Sequence, residues 1–168
     1  MAKNLNGMII KVGEATNCVN GKMVGITRSQ PPVSSKITGK VIRADTHAEF
    51  INKMFGKSYI NIFKSTWQYT DRCIVWMVRF YGKTEAWINR FTDKTHTRIV
   101  EYYESNESEK EKIDFPPLSH RIRIAVAIEE RGVPRRYTVE GVFEFDEKAS
   151  TLTKRYYNKI SDDLPIDF

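Results

Sequence analysis

The sequence predicts an α+β fold, a single domain with a mostly antiparallel, twisted β-sheet packed against one or two helices. Three observations predict it: residues 120–145 alternate apolar and polar side chains, a helix-capping sequence begins at Thr46, and 40% of the 168 residues are hydrophobic. A chain of this length fits one domain and can bury a core without a disulfide or a metal. We expect a basic, partly flexible N-terminal arm over 1–36, a globular domain over 37–160 and an acidic tail over 161–168.

The clearest local pattern is a β-hairpin over 120–129 and 136–145. Its apolar side chains alternate with small or charged ones, as on strands with one buried face. With a turn at 131–134, a single register pairs apolar side chains on one face of the hairpin and oppositely charged side chains on the other face. That register opposes Ile122 to Phe143, Val126 to Val139, Ile128 to Tyr137 and Arg121 to Glu144, and it sets Arg123 diagonal to Glu140 and Glu144. Because these glutamates would neutralise them, Arg121 and Arg123 are discounted as binding residues.

A helix is predicted to begin after Thr46. Thr46-His47-Ala48-Glu49 is a capping box, in which the Thr46 hydroxyl accepts from the Glu49 amide and the Glu49 carboxylate accepts from the Thr46 amide. An apolar stripe follows at helical spacing, and Gly56 suits a left-handed stop. The stripe consists of Phe50, Ile51, Met54 and Phe55. Other strands are predicted over 8–12, 22–27, 37–43, 73–81, 85–91 and 97–103, while 148–160 could form a strand or a short helix.

Cysteine usage and hydropathy favour a reducing, intracellular setting. Cys18 and Cys73 do not form the repeated spacing of a secreted disulfide framework. Cys73 lies in an apolar strand, where burial should raise the pKa of its thiol and leave it inert. The N-terminus lacks the apolar region of a signal peptide, and the apolar run 73–80 is too short to cross a bilayer. A soluble or peripheral protein is expected.

The charge is unevenly distributed. The net charge is +6, and residues 1–100 hold 16 Lys and Arg against six Asp and Glu. Residues 101–117 hold six acids against two bases, and the tail 161–168 is acidic. Such asymmetry attracts anionic partners to one side of a molecule. A solvated surface with a basic bias would give the same counts.

Signatures of catalysis are nearly absent. The three histidines stand far apart and have no cysteine at ligand spacing, and no phosphate-binding glycine loop or nucleophile elbow occurs. We therefore expect no metal site, no cofactor and no enzymatic activity. One weak signal remains: Asp146-Glu147-Lys148 has the acid-x-lysine spacing of two-metal nucleases, which would need a second carboxylate such as Glu129 or Glu130.

Signals of polyanion binding are stronger. Lysines and arginines are interleaved with aromatic residues over 53–98, a pattern typical of single-stranded nucleic-acid grooves and also of anionic membrane surfaces. The predicted polyanion-binding residues are Lys53, Lys57, Lys64, Arg72, Lys83, Arg90, Lys94 and Arg98. Trp67 and Trp87 are flanked by polar residues, so we expect them near the surface as aromatic contacts. Most of the other aromatic residues alternate along strands and are expected in the core.

The order of segments resembles the matrix protein of rhabdoviruses. The resemblance covers residues 30–150 in layout: an arm through Pro31-Pro32, a strand–helix unit over 37–55, an apolar strand ending at Gly82, and the late hairpin. It implies a viral structural protein that self-associates, condenses nucleoprotein and touches anionic membrane, in the virion and the host cytoplasm. Pro31 and Pro32 would then serve self-association or a linear contact. The chain departs from the budding motif Pro-Pro-x-Tyr of several members, since it reads Pro-Pro-Val-Ser.

Three hypotheses follow. The leading one is a matrix-like assembly protein that forms homo-oligomers and binds nucleoprotein and membrane. The alternative is a nucleic-acid-binding accessory domain of phage, plasmid or restriction origin, whose affinity should fall steeply as salt rises. The third is a metal-dependent nuclease around Asp146 and Lys148.

Overall fold

The computed structural model describes side chains for residues 36–82, 87–104, 113–130 and 132–165, and the backbone of three strands near the N-terminus. The chain divides into two units, Met1–Ser34 and Ser35–Phe168. The first unit contains β1 (Met8–Lys11), β2 (Glu14–Val19) and β3 (Lys22–Gly25), paired antiparallel in that order. Two of these strands were predicted and β2 was not. Pro31, Pro32 and the predicted connector around them lie outside the described residues.

The second unit is mostly β, with a mixed sheet and, in its described parts, one α-helix. The elements in chain order are β4 (Val41–Ala44), α1 (His47–Phe55), β5 (Thr66–Thr70), β6 (Cys73–Val78), β7 (Trp87–Phe91), β8 (Arg98–Tyr103), a short 3-10 helix (Leu118–His120), β9 (Ile122–Glu129), β10 (Arg135–Phe145) and β11 (Lys154–Ser161). The strand order is β5-β6-β9-β10-β11-β8-β7, and β4 pairs with the start of β10. Neighbours are antiparallel except β6 and β9, which are parallel. The ambiguous segment 148–160 therefore contributes a strand.

The predicted helix α1 has the predicted caps, with one difference. The Glu49 amide donates to Thr46 Oγ1 at 3.1 Å, and Gly56 ends the helix with φ of 63°. The Glu49 carboxylate, however, accepts from the amide of Asp45 at 2.7 Å, one residue before the predicted donor. Phe50 and Ile51 are fully buried, and the Phe50 ring stacks on Tyr137 at 4.7 Å. The helix is thereby fixed on one face of the sheet.

The hairpin of β9 and β10 has the predicted register only near its turn. Val126 opposes Val139 and Ile128 opposes Tyr137, as predicted. A bulge at Glu140 and Gly141 then interrupts the pairing, with Glu140 as the extra residue and Gly141 at a φ of 128°. The side chain of Lys159 lies in the space that a Cβ atom on Gly141 would occupy. Beyond the bulge the pairing is one residue away from the prediction, so Ile122 opposes Glu144 and Arg123 opposes Phe143. The predicted pairing of Arg121 with Glu144 is wrong, and Arg121 instead donates to Glu147 at 2.7 Å.

Both faces of the sheet are covered, so β6 is buried along its whole length. Cys73, Val75 and Met77 face the core under α1, while Ile74, Trp76 and Val78 face a second core on the other side. Burial raises the pKa of the Cys73 thiol to about 12, which is the direction predicted for a cysteine inside an apolar strand. No helix in the described parts of the chain is long and apolar enough to span a bilayer.

The face opposite α1 is concave. Trp76 on β6 and Tyr157 on β11 are three strands apart, which in a flat sheet would separate them by roughly 14 Å. Their ring centroids are 5.6 Å apart. The curvature also brings the sheet edge β7 towards the end of β6, where the Tyr81 amide donates to the Asn89 carbonyl at 3.1 Å and Phe80 stacks on Phe91 at 4.2 Å. The side chains of this face therefore converge on a common interior.

The strand predicted over 37–43 begins only at Val41, because Thr38 and Gly39 turn the chain, Gly39 with φ of 83°. The amides of Ile37 and Thr38 donate to the Asp162 carbonyl at 2.8 and 3.1 Å. Residues 162–165 of the predicted tail thus lie against the start of the second unit, and Pro165 is buried.

Candidate functional site

A cavity of about 300 Å³ opens where the end of β6 approaches β7. Its inner wall is formed by side chains of the concave face, namely Trp76, Trp87, Asn89, Glu101 and Arg123. Arg155 and Tyr157 on β11 contact these residues from behind. Seven side chains from five strands thus meet at one end of the concave face, whereas the other end is apolar and contains Phe91, Ile99 and Phe143.

The period of the β-strand explains why these residues meet. Side chains two positions apart lie on the same face of a strand. Trp87 and Asn89 therefore share the face of the buried Phe91 on β7, and Glu101 shares the face of the buried Ile99 on β8. The same rule puts Arg155 on the face of Tyr157.

Glu101 is the centre of a buried charged cluster. Its carboxylate accepts a hydrogen bond from the Tyr157 hydroxyl at 3.1 Å, and the guanidinium groups of Arg123 and Arg155 each lie 3.6 Å from one of its oxygens. Only 9% of the Glu101 side chain is exposed. Burial also raises the pKa of Tyr157, so its hydroxyl remains a donor. Two buried cations face one buried anion, which leaves this wall with excess positive charge.

The two arginines also hold the aromatic rings. The guanidinium of Arg123 packs against both Trp76 and Tyr157, 4.5 and 4.2 Å from their ring centroids. The guanidinium of Arg155 lies 4.2 Å from the Trp87 ring, and its Nη2 donates to the Asp114 carbonyl. Such cation–π contacts are attractive and fix ring orientation. Trp87 is therefore a positioned aromatic surface in the cavity wall.

Two polar atoms of this cluster lack a protein partner. Asn89 Oδ1 and Arg155 Nε are buried and form no hydrogen bond with the residues that the structure describes. A buried polar atom without a partner is unfavourable, and such atoms in a cavity wall are positions where a ligand can bind. Asn89 lies in the cavity wall and offers an acceptor there, whereas Arg155 lies behind the wall.

The rim of the cavity is polar and basic. His47 and His120 line it, and both have a pKa below the ordinary value, chiefly through burial and secondarily through nearby arginines, so both imidazoles are neutral at pH 7. Arg79 and Arg135 both contact Glu130, Arg79 through a direct hydrogen bond and Arg135 with its Nε 3.7 Å from the carboxylate. Two arginines against one glutamate leave the rim positive.

The sequence profile of the SET and RING associated domain, abbreviated SRA, matches residues 38–166. This span includes every strand and helix of the second unit. The chain belongs to the SRA domain family.

One solved structure supports the fold of this SRA domain. The chain is similar to the 5-hydroxymethylcytosine-specific restriction enzyme AbaSI, with a TM-score of 0.56 and 21% sequence identity. The match covers 75% of this chain and 40% of the enzyme's chain, so the SRA domain chain spans less than half of that protein. No curated protein sequence matches the chain.

SRA domains bind DNA, so the chain is a nucleic-acid-binding domain, as the alternative hypothesis held. The predicted resemblance to a rhabdovirus matrix protein is wrong, and so is the assignment as a virion structural protein. The resemblance depended on the order of elements along the chain, and that order does not determine which strands pair. No finding supports nucleoprotein, membrane or homo-oligomer as partners. An intracellular, reducing location stays a prediction.

The predicted polyanion-binding residues are spread over the SRA domain. Lys64 lies beside the cavity, one residue before Ser65 in its wall, whereas Arg72 lies at the opposite end of β6. Lys57 and Lys94 are exposed, and Arg90 lies over the ring of Tyr102. Lys53 is paired with Glu49 at 2.6 Å and Arg98 with Asp146 at 3.1 Å, while Lys83 lies outside the described residues. Their role in binding stays a prediction.

The two predicted aromatic contacts have different surroundings. Trp87 lies in the cavity wall. Trp67 lies on β5, where its ring is 5.2 Å from Phe55 and 6.2 Å from Tyr69, packed against the core under α1. Only Trp87 of this pair is in a position to contact a ligand in the cavity.

The geometry does not assemble the predicted nuclease site. Glu129 opposes Arg136 at the turn of the hairpin, whereas Asp146 follows the far end of β10, so the carboxylates are at opposite ends of the sheet. Asp146 accepts from Arg98, Asn158 and the amide of Ala149, and the bond from Asn158 is the main cause of its lowered pKa. Within the described residues, no group of three His, Cys, Asp or Glu side chains could hold a metal.

Sequence reasoning missed most of the cavity wall. It did not single out Trp76 as a site residue, nor Asn89, Glu101 or Arg155, and it discounted Arg123. Arg123 does have a glutamate partner, but that partner is Glu101 on β8 rather than Glu140 or Glu144. One usable signal existed: Asn89 and Glu101 are polar residues on the apolar face of predicted strands.

Proposed function

We propose that this SRA domain binds duplex DNA and receives one modified cytosine base, extruded from the helix, in the cavity between β6 and β7. The observation that carries the proposal is the Trp87 ring, held by Arg155 beside the buried carboxylate of Glu101. Proteins that bind an extruded base stack it on aromatic side chains and hydrogen-bond its pairing edge. Trp87 supplies such a surface, and Glu101 and Asn89 supply polar atoms beside it.

The cavity has the size and chemistry for a pyrimidine. A volume of about 300 Å³ is at the lower end for small-molecule sites, which suits a single base. Cytosine presents an N4 amino donor, which pairs with carboxylate acceptors, whereas thymine presents an O4 acceptor at that position. Glu101 has remaining acceptor capacity, because among the described residues only the Tyr157 hydroxyl is within hydrogen-bond distance and a carboxylate accepts about four bonds.

A 5-hydroxymethyl group fits the atoms that lack partners. AbaSI is named as specific for 5-hydroxymethylcytosine. The hydroxyl of such a group would offer a donor to Asn89 Oδ1, which has no partner among the described residues. The proposed ligand is therefore 5-hydroxymethylcytosine, held in preference to unmodified cytosine.

The surroundings of the cavity suit a DNA backbone. Arg79, Arg135 and Lys64 lie on or beside its rim, and cations near an extruded base contact the flanking phosphates. We propose that the described domain recognises DNA without cleaving it, since its carboxylates do not converge on a metal site. The absence of enzymatic activity stays a prediction.

Fluorescence anisotropy with three duplexes tests the proposal. The duplexes differ at one position, which carries 5-hydroxymethylcytosine, cytosine or thymine. We expect the tightest binding for 5-hydroxymethylcytosine and the weakest for thymine. Each hydrogen bond of ~1 kcal/mol that a base cannot form should lower the affinity by about fivefold or more. Raising salt from about 50 to about 200 mM should weaken all three by about 3- to 40-fold for one to three phosphate contacts. Equal affinities for the three duplexes would contradict base recognition, and undetectable binding at low salt would contradict DNA binding.

A further inference from the structure

The buried charged cluster in the cavity wall carries one positive charge in excess. The Arg123 and Arg155 side chains are 7% and 11% exposed, and within the described parts of the chain Glu101 is the carboxylate that both approach. Burial is the main cause of the raised pKa of Tyr157, and the charged groups that also act on it are these same three residues. A buried charge without a counter-charge is unfavourable, because it has lost its hydration without gaining a partner. The cluster therefore favours a ligand that brings one negative charge.

Arg123 is the residue that presents this excess charge to the cavity. Its side chain lines the cavity, whereas Arg155 lies behind the wall. The Arg123 Nε donates to the His120 carbonyl at 2.9 Å, and the two terminal nitrogens form no hydrogen bond with the residues that the structure describes. Burial is the main cause of the lowered pKa of His120, and the charge of Arg123 lowers it further, so this charge extends to the rim. The Arg123 guanidinium thus has both donors and charge available to a ligand.

Glu101 and Arg123 place an acceptor and a donor side by side. The Nη1 atom of Arg123 lies 3.6 Å from Oε1 of Glu101. In cytosine the N4 amino donor and the C5 substituent are attached to adjacent ring carbons, so they project from the same edge of the base. A base whose N4 donates to Glu101 can therefore direct its C5 substituent towards Arg123. A carboxylate is the substituent that a guanidinium binds most strongly, because both groups are charged and their planar shapes match.

We propose that the cavity also binds cytosine whose C5 substituent is a carboxylate, with Arg123 as the residue that holds this carboxylate. The inference rests on the proposed function, because the base reaches Arg123 only when it has left the helix. A ligand of this kind completes the cluster, since two arginines then face two carboxylates, that of Glu101 and that of the base. A neutral substituent such as hydroxymethyl leaves the excess positive charge in place. The anionic base should therefore bind more tightly than the neutral one.

Fluorescence anisotropy with four duplexes tests the anion site. One position carries 5-carboxylcytosine, 5-hydroxymethylcytosine, cytosine or 5-carboxyluracil. We expect 5-carboxylcytosine to bind about 10-fold or more tighter than cytosine, which is the gain from at least one hydrogen bond between charged groups. The base 5-carboxyluracil has the same anion but an O4 acceptor in place of the N4 donor, so it cannot donate to Glu101. Its gain over cytosine should be smaller by about fivefold or more.

Arg123→Gln should remove most of the gain for 5-carboxylcytosine and keep the preference for 5-hydroxymethylcytosine over cytosine, which we assign to Asn89. The variant should remain folded, because Arg155 and Glu101 then form a pair of equal and opposite charges, and urea denaturation checks this. Arg123→Lys retains the charge without the planar donor pair, so it should keep part of the gain.

Arg121→Gln is the matched control. Arg121 precedes Arg123 by two residues and also combines an aromatic contact, Phe145 at 5.5 Å, with a glutamate partner, Glu147 at 2.7 Å. It lies outside the cavity wall. This variant should keep the whole gain for 5-carboxylcytosine.

Three outcomes would overturn the anion site: 5-carboxylcytosine bound no tighter than cytosine, an equal gain for 5-carboxyluracil, or equal losses of Arg123→Gln on all duplexes. The first would mean that no anion is held, the second that charge alone attracts the duplex, and the third that Arg123 contacts a backbone phosphate. The neutral bases separate this failure from failure of the proposed function. If 5-hydroxymethylcytosine is preferred to cytosine, base recognition stands without the anion site, and if it is not, the proposed function itself fails.

Discussion

Replacing Glu101 with Gln should lower the free energy of unfolding by about 3–5 kcal/mol, because the change leaves two buried arginines without their shared counter-charge. The Arg123 and Arg155 side chains are 7% and 11% exposed, against 9% for Glu101, and both lie 3.6 Å from its carboxylate. Glutamine has almost the same shape and can still accept from the Tyr157 hydroxyl, so the loss reports charge rather than packing. Urea denaturation followed by tryptophan fluorescence measures it.

Glu129→Gln is the matched control. Glu129 is also paired with an arginine, Arg136 at 3.7 Å, but 57% of its side chain is exposed. Water and salt screen such a pair, and its removal should cost less than about 1 kcal/mol. If Glu101→Gln and Glu129→Gln had equal effects, the charged cluster in the cavity wall would not have the energetic importance that we assign to it.

Replacing Trp87 with Ala should weaken binding to a 5-hydroxymethylcytosine duplex by about 10- to 100-fold. Stacking of a base on an aromatic side chain contributes ~1–3 kcal/mol, and Trp87 is the ring that Arg155 holds in the cavity wall. Binding to the duplex with thymine at that position should change less, because that binding depends mainly on contacts to phosphates. Anisotropy titrations with both duplexes measure the difference between the two affinities.

Trp67→Ala provides the control for Trp87→Ala. It removes the same ring from a partly buried position on β5, against Phe55 and Tyr69 and away from the cavity. We expect this variant to lose stability while keeping its preference for the modified duplex. If both variants lost that preference equally, the effect would be general destabilisation, and Trp87 would have no role in base recognition.

Local features of the fold could be predicted from the sequence. The cap at Thr46 and the stop at Gly56 depend on a few neighbouring residues, and both are present, although the Glu49 carboxylate accepts from Asp45 instead of Thr46. The register of the hairpin of β9 and β10 agrees with the prediction near its turn and differs from it by one residue beyond the bulge. An alternating pattern cannot reveal that bulge, because it treats Glu140 and Gly141 as consecutive positions of a regular strand. In the structure Glu140 is the extra residue, and Gly141, with its positive φ, pairs with Ala125.

The cavity could not be predicted, because it depends on contacts between distant segments. Glu101, Arg123 and Arg155 lie on three strands that meet only when the sheet curves. The parallel pairing of β6 with β9 joins segments about fifty residues apart, and no local pattern specifies it. The charge distribution, in contrast, can be counted from the sequence without knowledge of the fold. It indicated an anionic partner, and membership of the SRA family then indicated that this partner is DNA.

The proton NMR spectrum of a bound duplex tests the extrusion of the base most directly. In a duplex with one 5-hydroxymethylcytosine, the guanine opposite it has an imino proton that is protected from solvent exchange by base pairing. Because extrusion breaks that pair, we predict that saturation with the protein removes this resonance while the imino signals of distant base pairs remain. Persistence of the resonance in the saturated complex would contradict the account, since the base would still be paired inside the helix and not in the cavity.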